Sequence, residues 1–351
     1  MKKSVVAVAA AIAVVGLLSG CSSAGSPKAS STPTPTPVQY ETAPLTGVQY
    51  VAGTNDFLAG PSVACKIDNL DVARPQQGLN STDMVFDEMV EGGLTRFVAV
   101  FHSQLPTNIG PVRSIRPMDP DIISPFGGIV CYSGGQLKFV NMMRATRVFN
   151  ANETEEQGKG TFSRTADREA PHNVIVNVQK LQSAHTDLSA PQPVFKFATT
   201  ADQATAALQG TVATSLKVYY PAALAQWTPS SDGKLWQRTQ DGKPLTDKLD
   251  GSRIHATNVV VLDVAVDHRT YGYVPKTLMN SSGTGWVFTG GKYVTVNWHK
   301  TDQNSPIVLT MADGSDVLLA PGNTWVELKP RTEGNIKIES PKPTPTPTPK
   351  K

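Results

Sequence analysis

The stretch from about residue 215 to 330 leaves little choice of architecture. "LKVYY", "LWQRT", "NVVVLDVAV", "GWVFTG", "YVTVNW", "IVLTM" and "VLLAPGNTWVEL" follow one another as short runs rich in Val, Tyr, Trp and Thr. None has the length of a helix, and β-branched and aromatic side chains favour a pleated surface. Asp232-Gly233, Asp241-Gly242, Gly290-Gly291 and Asp313-Gly314 punctuate them. Such dipeptides accept the positive φ values of tight hairpin turns. Residues 215–330 therefore read as a predominantly β domain. Residues 45–190 mix β-type runs (63–68, 84–90, 94–101, 128–132) with candidate helices at 136–146 and 174–184. That half reads as a mixed α/β domain, and the expected class is α+β. Residues 191–214, with two prolines and an Ala/Gln-rich stretch suited to a short helix, connect the halves.

The ends follow different rules. "MKK" is a basic start, "SVVAVAAAIAVVGLL" an apolar run, and "LSGC" ends it at Cys21. An apolar run of that length is too short to span a bilayer; residues 1–20 read as a signal peptide with a lipobox-like cleavage site. Cys21 is then the lipidated first mature residue, and two or three acyl chains, at about 0.8 kcal/mol per buried methylene, anchor it stably. Residues 21–44 are a Ser/Thr/Pro-rich linker. About twenty such residues at roughly 3.1 Å each reach on the order of 60 Å, enough to lift a body off a membrane into a cell wall. Residues 331–351, ending in "PKPTPTPTPKK", read as a Pro/Thr-rich disordered tail.

These ends also distort the charge. The formal net charge is +3, from 32 Lys and Arg against 29 Asp and Glu. Lys2, Lys3, Lys28, Lys342, Lys350 and Lys351 lie in residues 1–37 and 341–351, which contain no acids, and this leaves 26 basic residues against 29 acidic ones in between. A near-neutral body with basic tips excludes nucleic acid as the expected partner. Apart from Cys21 the cysteines are Cys65 and Cys131, without a CxxC or Cys/His cluster, so no metal site and no cofactor is expected. In an exported chain this pair can form a disulfide. Two buried free thiols fit the same β-type runs.

Four stretches carry residues suited to chemistry. In "EGGLTRF" (91–97), a two-residue Gly92-Gly93 loop pairs Met89 with Arg96 and Asp87 with Val98. Asp87, Met89, Glu91 and Arg96 then share one face, with Glu88, Val90, Thr95 and Phe97 on the other. In "NIGPVRSIRPMDPD", prolines 111, 117 and 120 forbid a regular helix throughout and leave a stiff loop carrying Arg113 and Arg116. Guanidinium groups on stiff loops suit bidentate recognition of carboxylate or phosphate; internal salt bridging, as between Arg113 and Glu91, is the competing account. Asp68 and Asn69 end a β-type run, where a sheet displays polar groups rigidly. In "SRTADREAPHNV", His172 is a candidate acid/base group beside Asn173. No GxSxG, HExxH or phosphate-binding loop is present, and "YSGGQ" lacks the strand–turn–helix context of a nucleophile elbow.

At these stretches the chain resembles a known family. "VACKIDNLDVARPQQGLNSTDMVFDEMVEGGLTRFVAVFHS", "IGPVRSIRP", "YSGG" and "APHN" are similar to the first domain of the YerB-like lipoproteins, two-domain bacterial surface proteins. "YYP", "WQRTQDGKPLTD", "NVVVLDV", "VNWHK" and "LLAPGNTWVEL" are similar to their second domain. The resemblance spans roughly residues 45–330. It implies that Asp68, Asn69, Glu88, Glu91, Gly92, Gly93, Thr95, Arg96, Gly110, Arg113, Arg116, His172 and Asn173 stand at motif positions. Both domains are of unknown function, so no catalytic role is carried over. Cys65 and Cys131 depart from the pattern.

The expectation is a lipid-anchored protein on the extracytoplasmic face of the cell membrane. Its first domain binds a wall glycan, a peptide carboxylate or an envelope partner protein through Glu88, Glu91, Arg96, Arg113 and Arg116. Two alternatives stand beside it. One is an accessory lipoprotein regulating a membrane-bound wall synthase. The other is a wall hydrolase or transferase with Glu88 or Glu91 as acid and Asp68 as partner, since glycosidic chemistry needs two carboxyls.

Overall fold

The structure, a computed structural model, describes residues 37–341, so the leader, Cys21 and nearly all of both Thr/Pro tracts lie outside the described residues. The first half supplies strands β1 (Val63–Asp68), β2 (Met84–Met89), β3 (Thr95–Phe101), β4 (Ile129–Tyr132) and β5 (Phe149–Asn152). The second supplies β6 (Thr211–Val212), β7 (Ser215–Tyr220), β8 (Ala223–Pro229), β9 (Trp236–Gln240) and β10 (Asn258–Val264). It continues with β11 (Ser282–Thr289), β12 (Lys292–His299), β13 (Val308–Thr310), β14 (Thr324–Pro330) and β15 (Asn335–Glu339). The helices are short: α1 (Asp119–Ile123), α2 (Leu137–Arg144), α3 (Val178–Ser183) and α4 (Thr205–Gln209). The fold is β-rich, with few helical residues even in the half expected to be mixed α/β.

Both halves build one sheet. Its order is β6-β12-β11-β10-β14-β2-β3-β1-β4-β5, with β13 added against β12. The pairs β10/β14, β14/β2, β1/β4 and β4/β5 are parallel. The parallel β14/β2 seam, from Thr324↔Met84 to Glu327↔Asp87, joins the halves. A second sheet, β9-β8-β7-β15 with two short strands beside β9, covers one face of the first. There Cys65, Phe97, Val261 and Trp325 pack on Leu216, Val218, Trp227 and Trp236. On the opposite face Ala64, Phe86, Val98 and Val326 lie under Ile122, Phe126, Phe139 and Phe195. With both faces covered, the central strands are apolar almost throughout, as in "NVVVLDV" of β10.

Three expectations are corrected here. Tyr40–Thr42, inside the expected linker, pairs with Gln49–Val51. Asn335–Glu339, inside the expected tail, forms β15 and pairs with β7, because Ile336 and Ile338 pack on the inter-sheet core before the Pro/Thr composition begins. The prolines do keep regular helix out of 109–118, yet α1 starts at Asp119 with Pro120 in its first turn, where no backbone N–H is needed.

The β2–β3 hairpin is also corrected. Three residues, Glu91–Gly93, make the turn rather than two, and Met89 pairs with Thr95, Glu88 with Arg96 and Asp87 with Phe97. One residue of slip moves every side chain to the other face. Glu88 and Arg96 therefore share a face, and Asp87 points the opposite way. The extra residue is accommodated by Gly92 and Gly93, with φ of 71° and 72°. Gly93 also docks on the second sheet: Ala222 N donates to its carbonyl at 3.0 Å, and a Cβ at Gly93 would lie 2.6 Å from Pro221. Gly93→Ala is expected to cost about 1–3 kcal/mol by urea unfolding and Gly92→Ala about 1. Equal losses would mean that the approach to Pro221 carries no weight.

Candidate functional site

The slip assembles a polar row across three strands. Glu88 on β2, Arg96 on β3 and Asp68 on β1 are direct cross-strand neighbours, all on the face away from the second sheet. Lys66, two residues before Asp68, joins that face. Its ammonium group donates to Glu88 Oε1, and to Asp119 Oδ1 of α1 at 2.8 Å. All three side chains are fully buried. Asp119 Oδ2 accepts from the Arg116 backbone N–H at 2.5 Å. One lysine facing two carboxylates leaves a negative charge over. Burial, then the neighbouring Asp119, push the Glu88 carboxyl up to about 8, and its Oε2 has no partner among the described residues. A proton on Glu88 resolves the imbalance.

Above this floor lies the arginine loop. Its backbone is held on both sides: Asp68 N donates to Pro111 O, Arg113 N to Lys66 O, Val112 N to Val174 O and Ser133 N to Arg113 O, all at 2.8–3.1 Å. The loop is stiff because it is an extra rung beside the end of β1. Arg113 Nε lies 3.2 Å from Asp68 Oδ2, and Arg116 Nε donates to Glu91 Oε2 at 2.8 Å. Burial works against the Glu91 charge, but Arg116 prevails and holds its carboxyl below the usual range. Arg96, flanked on the sheet by two acids, pairs with neither. Glu88 is drawn to Lys66 and Asp68 to Arg113. Its guanidinium instead donates to Ser114 O at 3.1 Å. Burial, then Arg116 and Arg113, lower its pKa to about 10, which still leaves it charged at neutral pH.

His172 completes the group. Its Nδ1 is 2.6 Å from Asp68 Oδ2, and Arg113 Nη1 donates to the preceding carbonyl, Pro171 O, at 3.2 Å. Asp68 Oδ1 accepts from Leu70 N at 3.1 Å, and the carboxylate is fully buried. The ring is about 20 % exposed.

The structure thus brings together Asp68, Glu91, Arg96, Arg113, Arg116 and His172. It places Glu88 beneath them and fully buried, which corrects its reading as a binding residue or catalytic acid: a carboxyl so placed cannot meet a ligand. Asn69 is occupied with Thr95, Arg74 and Gln76, and Asn173 turns toward Arg164. Both tie loops down. Cys65 and Cys131 face each other across β1 and β4, with Cα atoms 4.5 Å apart, and are joined by a disulfide on the face opposite the arginines. Sequence reasoning missed Lys66. The available signal was a lone lysine inside an otherwise apolar strand.

It also missed a second cluster on the other side of β2. Arg238, fully buried, donates to Asp87 Oδ2 and Gln240 Oε1 at 2.5 and 2.7 Å and reaches Glu327 Oε1 at 2.5 Å. Trp227 Nε1 and Tyr220 OH donate to Glu327 at 2.9 and 3.0 Å. Burial raises the Asp87 carboxyl to about 8. The cluster is buried between the two sheets, so it holds them together rather than binding a ligand.

Two family models cover most of the described chain. Residues 45–190 match the N-terminal domain of a protein of unknown function (DUF3048), and residues 216–326 match its C-terminal domain. The chain belongs to the DUF3048 family. The chain is similar to "Putative lipoprotein YerB" of Bacillus subtilis (strain 168), at 24 % identity over 296 residues, 82 % of this chain and 86 % of that protein. The crystal structure of the YerB protein from Bacillus subtilis superposes with a TM-score of 0.72 at 23 % identity, covering 85 % of this chain and 99 % of that one. The two DUF3048 segments meet at the β14/β2 seam, and the arginine group lies wholly in the N-terminal one. Among the described residues no helix is long and apolar enough to cross a membrane.

Proposed function

We propose that the protein is a lipid-anchored component of the extracytoplasmic face of the membrane. Through Arg96, Arg113 and Arg116 it binds an anionic group, carboxylate or phosphate, of a wall polymer or envelope protein. Membrane anchoring through Cys21 draws support from the lipobox-like sequence and from the name of the Bacillus relative. The carrying observation is Arg96: a charged, nine-tenths buried guanidinium beside two acids, with a single backbone carbonyl as partner among the described residues. Arg113 and Arg116 have one carboxylate each, so three guanidinium groups face two acids. A ligand anion would supply the missing negative charge through charge-assisted hydrogen bonds worth about 1.5–3 kcal/mol each.

Arg96→Ala and Arg113→Ala are each expected to weaken binding to isolated cell wall by about tenfold or more in a pelleting assay, with the circular dichroism spectrum unchanged. Unchanged wall binding in both folded variants removes this site from the function.

A further inference from the structure

We propose that the same site is catalytic, a phosphodiester hydrolase in which His172 is the general base and Asp68 its positioning residue; this rests on the anion-binding reading above. The geometry is a His–carboxylate dyad. Asp68, buried and fixed by Leu70 N and Arg113, accepts from His172 Nδ1, which leaves the Nε2 lone pair as the free end of the ring. A histidine serving only as a loop tether needs no buried, doubly fixed carboxylate behind it. The same arrangement orients the base of hydrolytic triads by fixing its tautomer. Within the same group stand three guanidinium groups, and Arg113 contacts both the carboxylate and the residue before the histidine. A carboxylate ligand is saturated by one or two arginines. A phosphodiester spreads charge over its non-bridging oxygens as the transition state forms, and several fixed cations stabilise that charge.

In the step, His172 Nε2 takes a proton from water while the water oxygen bonds to phosphorus. The P–O bond to one ester group breaks, and the departing alkoxide receives the proton from the imidazolium. The products are a phosphomonoester and an alcohol, with no redox partner.

The test uses the purified full chain in detergent, with bis(p-nitrophenyl) phosphate as probe and p-nitrophenolate release as readout. The wild type is expected to turn over above the protein-free rate. His172→Gln should lower kcat by at least about 100-fold with KM within a few fold. Asp68→Asn should likewise lower kcat rather than raise KM, and change the pH–rate profile, since an amide no longer enforces the tautomer. Absence of release by the wild type, or a full rate in folded His172→Gln, overturns the proposal. Wall pelleting separates the two readings. If the wild type binds wall and releases nothing, the anion site stands and the catalytic step falls; if it does neither, both fall.

Discussion

Arg238→Met is expected to lower folding stability by about 3–5 kcal/mol, because it leaves Glu327 buried without its cation and takes from Asp87 the donor its Oδ2 accepts from. The guanidinium also fills a cage of rings. Its carbon lies 4.6 Å from the Trp325 centroid, 5.1 Å from Phe97 and 5.2 Å from Trp227. Methionine matches some of that volume but neither the charge nor the hydrogen bonds donated to Asp87, Gln240 and Glu327. Asp87→Asn should behave quite differently. With its carboxyl pushed up to about 8 by burial, Asp87 carries a proton at neutral pH, and asparagine imitates that state. Its expected cost is under about 1.5 kcal/mol. Urea unfolding at pH 7 measures both, and equal losses would show that Asp87 is ionised in the folded state.

Lys66→Met is the second large effect, again about 3–5 kcal/mol, since Asp119 is left buried without its cation and Glu88 Oε1 loses its donor. Here pH gives a sharper test. Glu88 moves from an ordinary 4.5 to about 8 on folding. The folded state therefore binds more protons than the unfolded state across that window. Stability contributed by this group is fully present below about 4.5 and is lost as pH rises through about 8. One proton bound only in the folded state changes stability by about 1.4 kcal/mol for each step of one in pH. Glu88→Gln should therefore flatten the fall between roughly pH 5 and pH 8 by more than about 1 kcal/mol. A variant whose stability falls as steeply as the wild type's would place the proton elsewhere.

Much of the sheet was legible because its strands obey simple patterns. Gly290-Gly291 between Thr289 and Lys292 makes the expected two-residue turn, with φ of 59° and 71°. The residues that gather around Arg96 could be named from the sequence, but their arrangement could not. A hairpin register depends on whether two or three residues make its turn, and "EGG" permits both. The choice decided which of two adjacent acids, Asp87 or Glu88, joins Arg96. Lys66 and Arg238 were opaque for another reason. A basic residue inside a strand ordinarily marks a solvated face, and here both faces are covered by chain that lies far away in sequence. Likewise nothing local announces that Ile336 and Ile338 reach back to close the second sheet beside β7.

The seam between β2 and β14 has a consequence for the life of the chain before it is folded. Asp87 pairs with Glu327, 240 positions later. The middle of the sheet cannot close until almost the whole polypeptide has been delivered, and contacts so distant in sequence form slowly. Until then β2 offers an open edge and two unneutralised acids. A chain built this way cannot finish its core from its N-terminal half alone and completes it only once its last strands arrive.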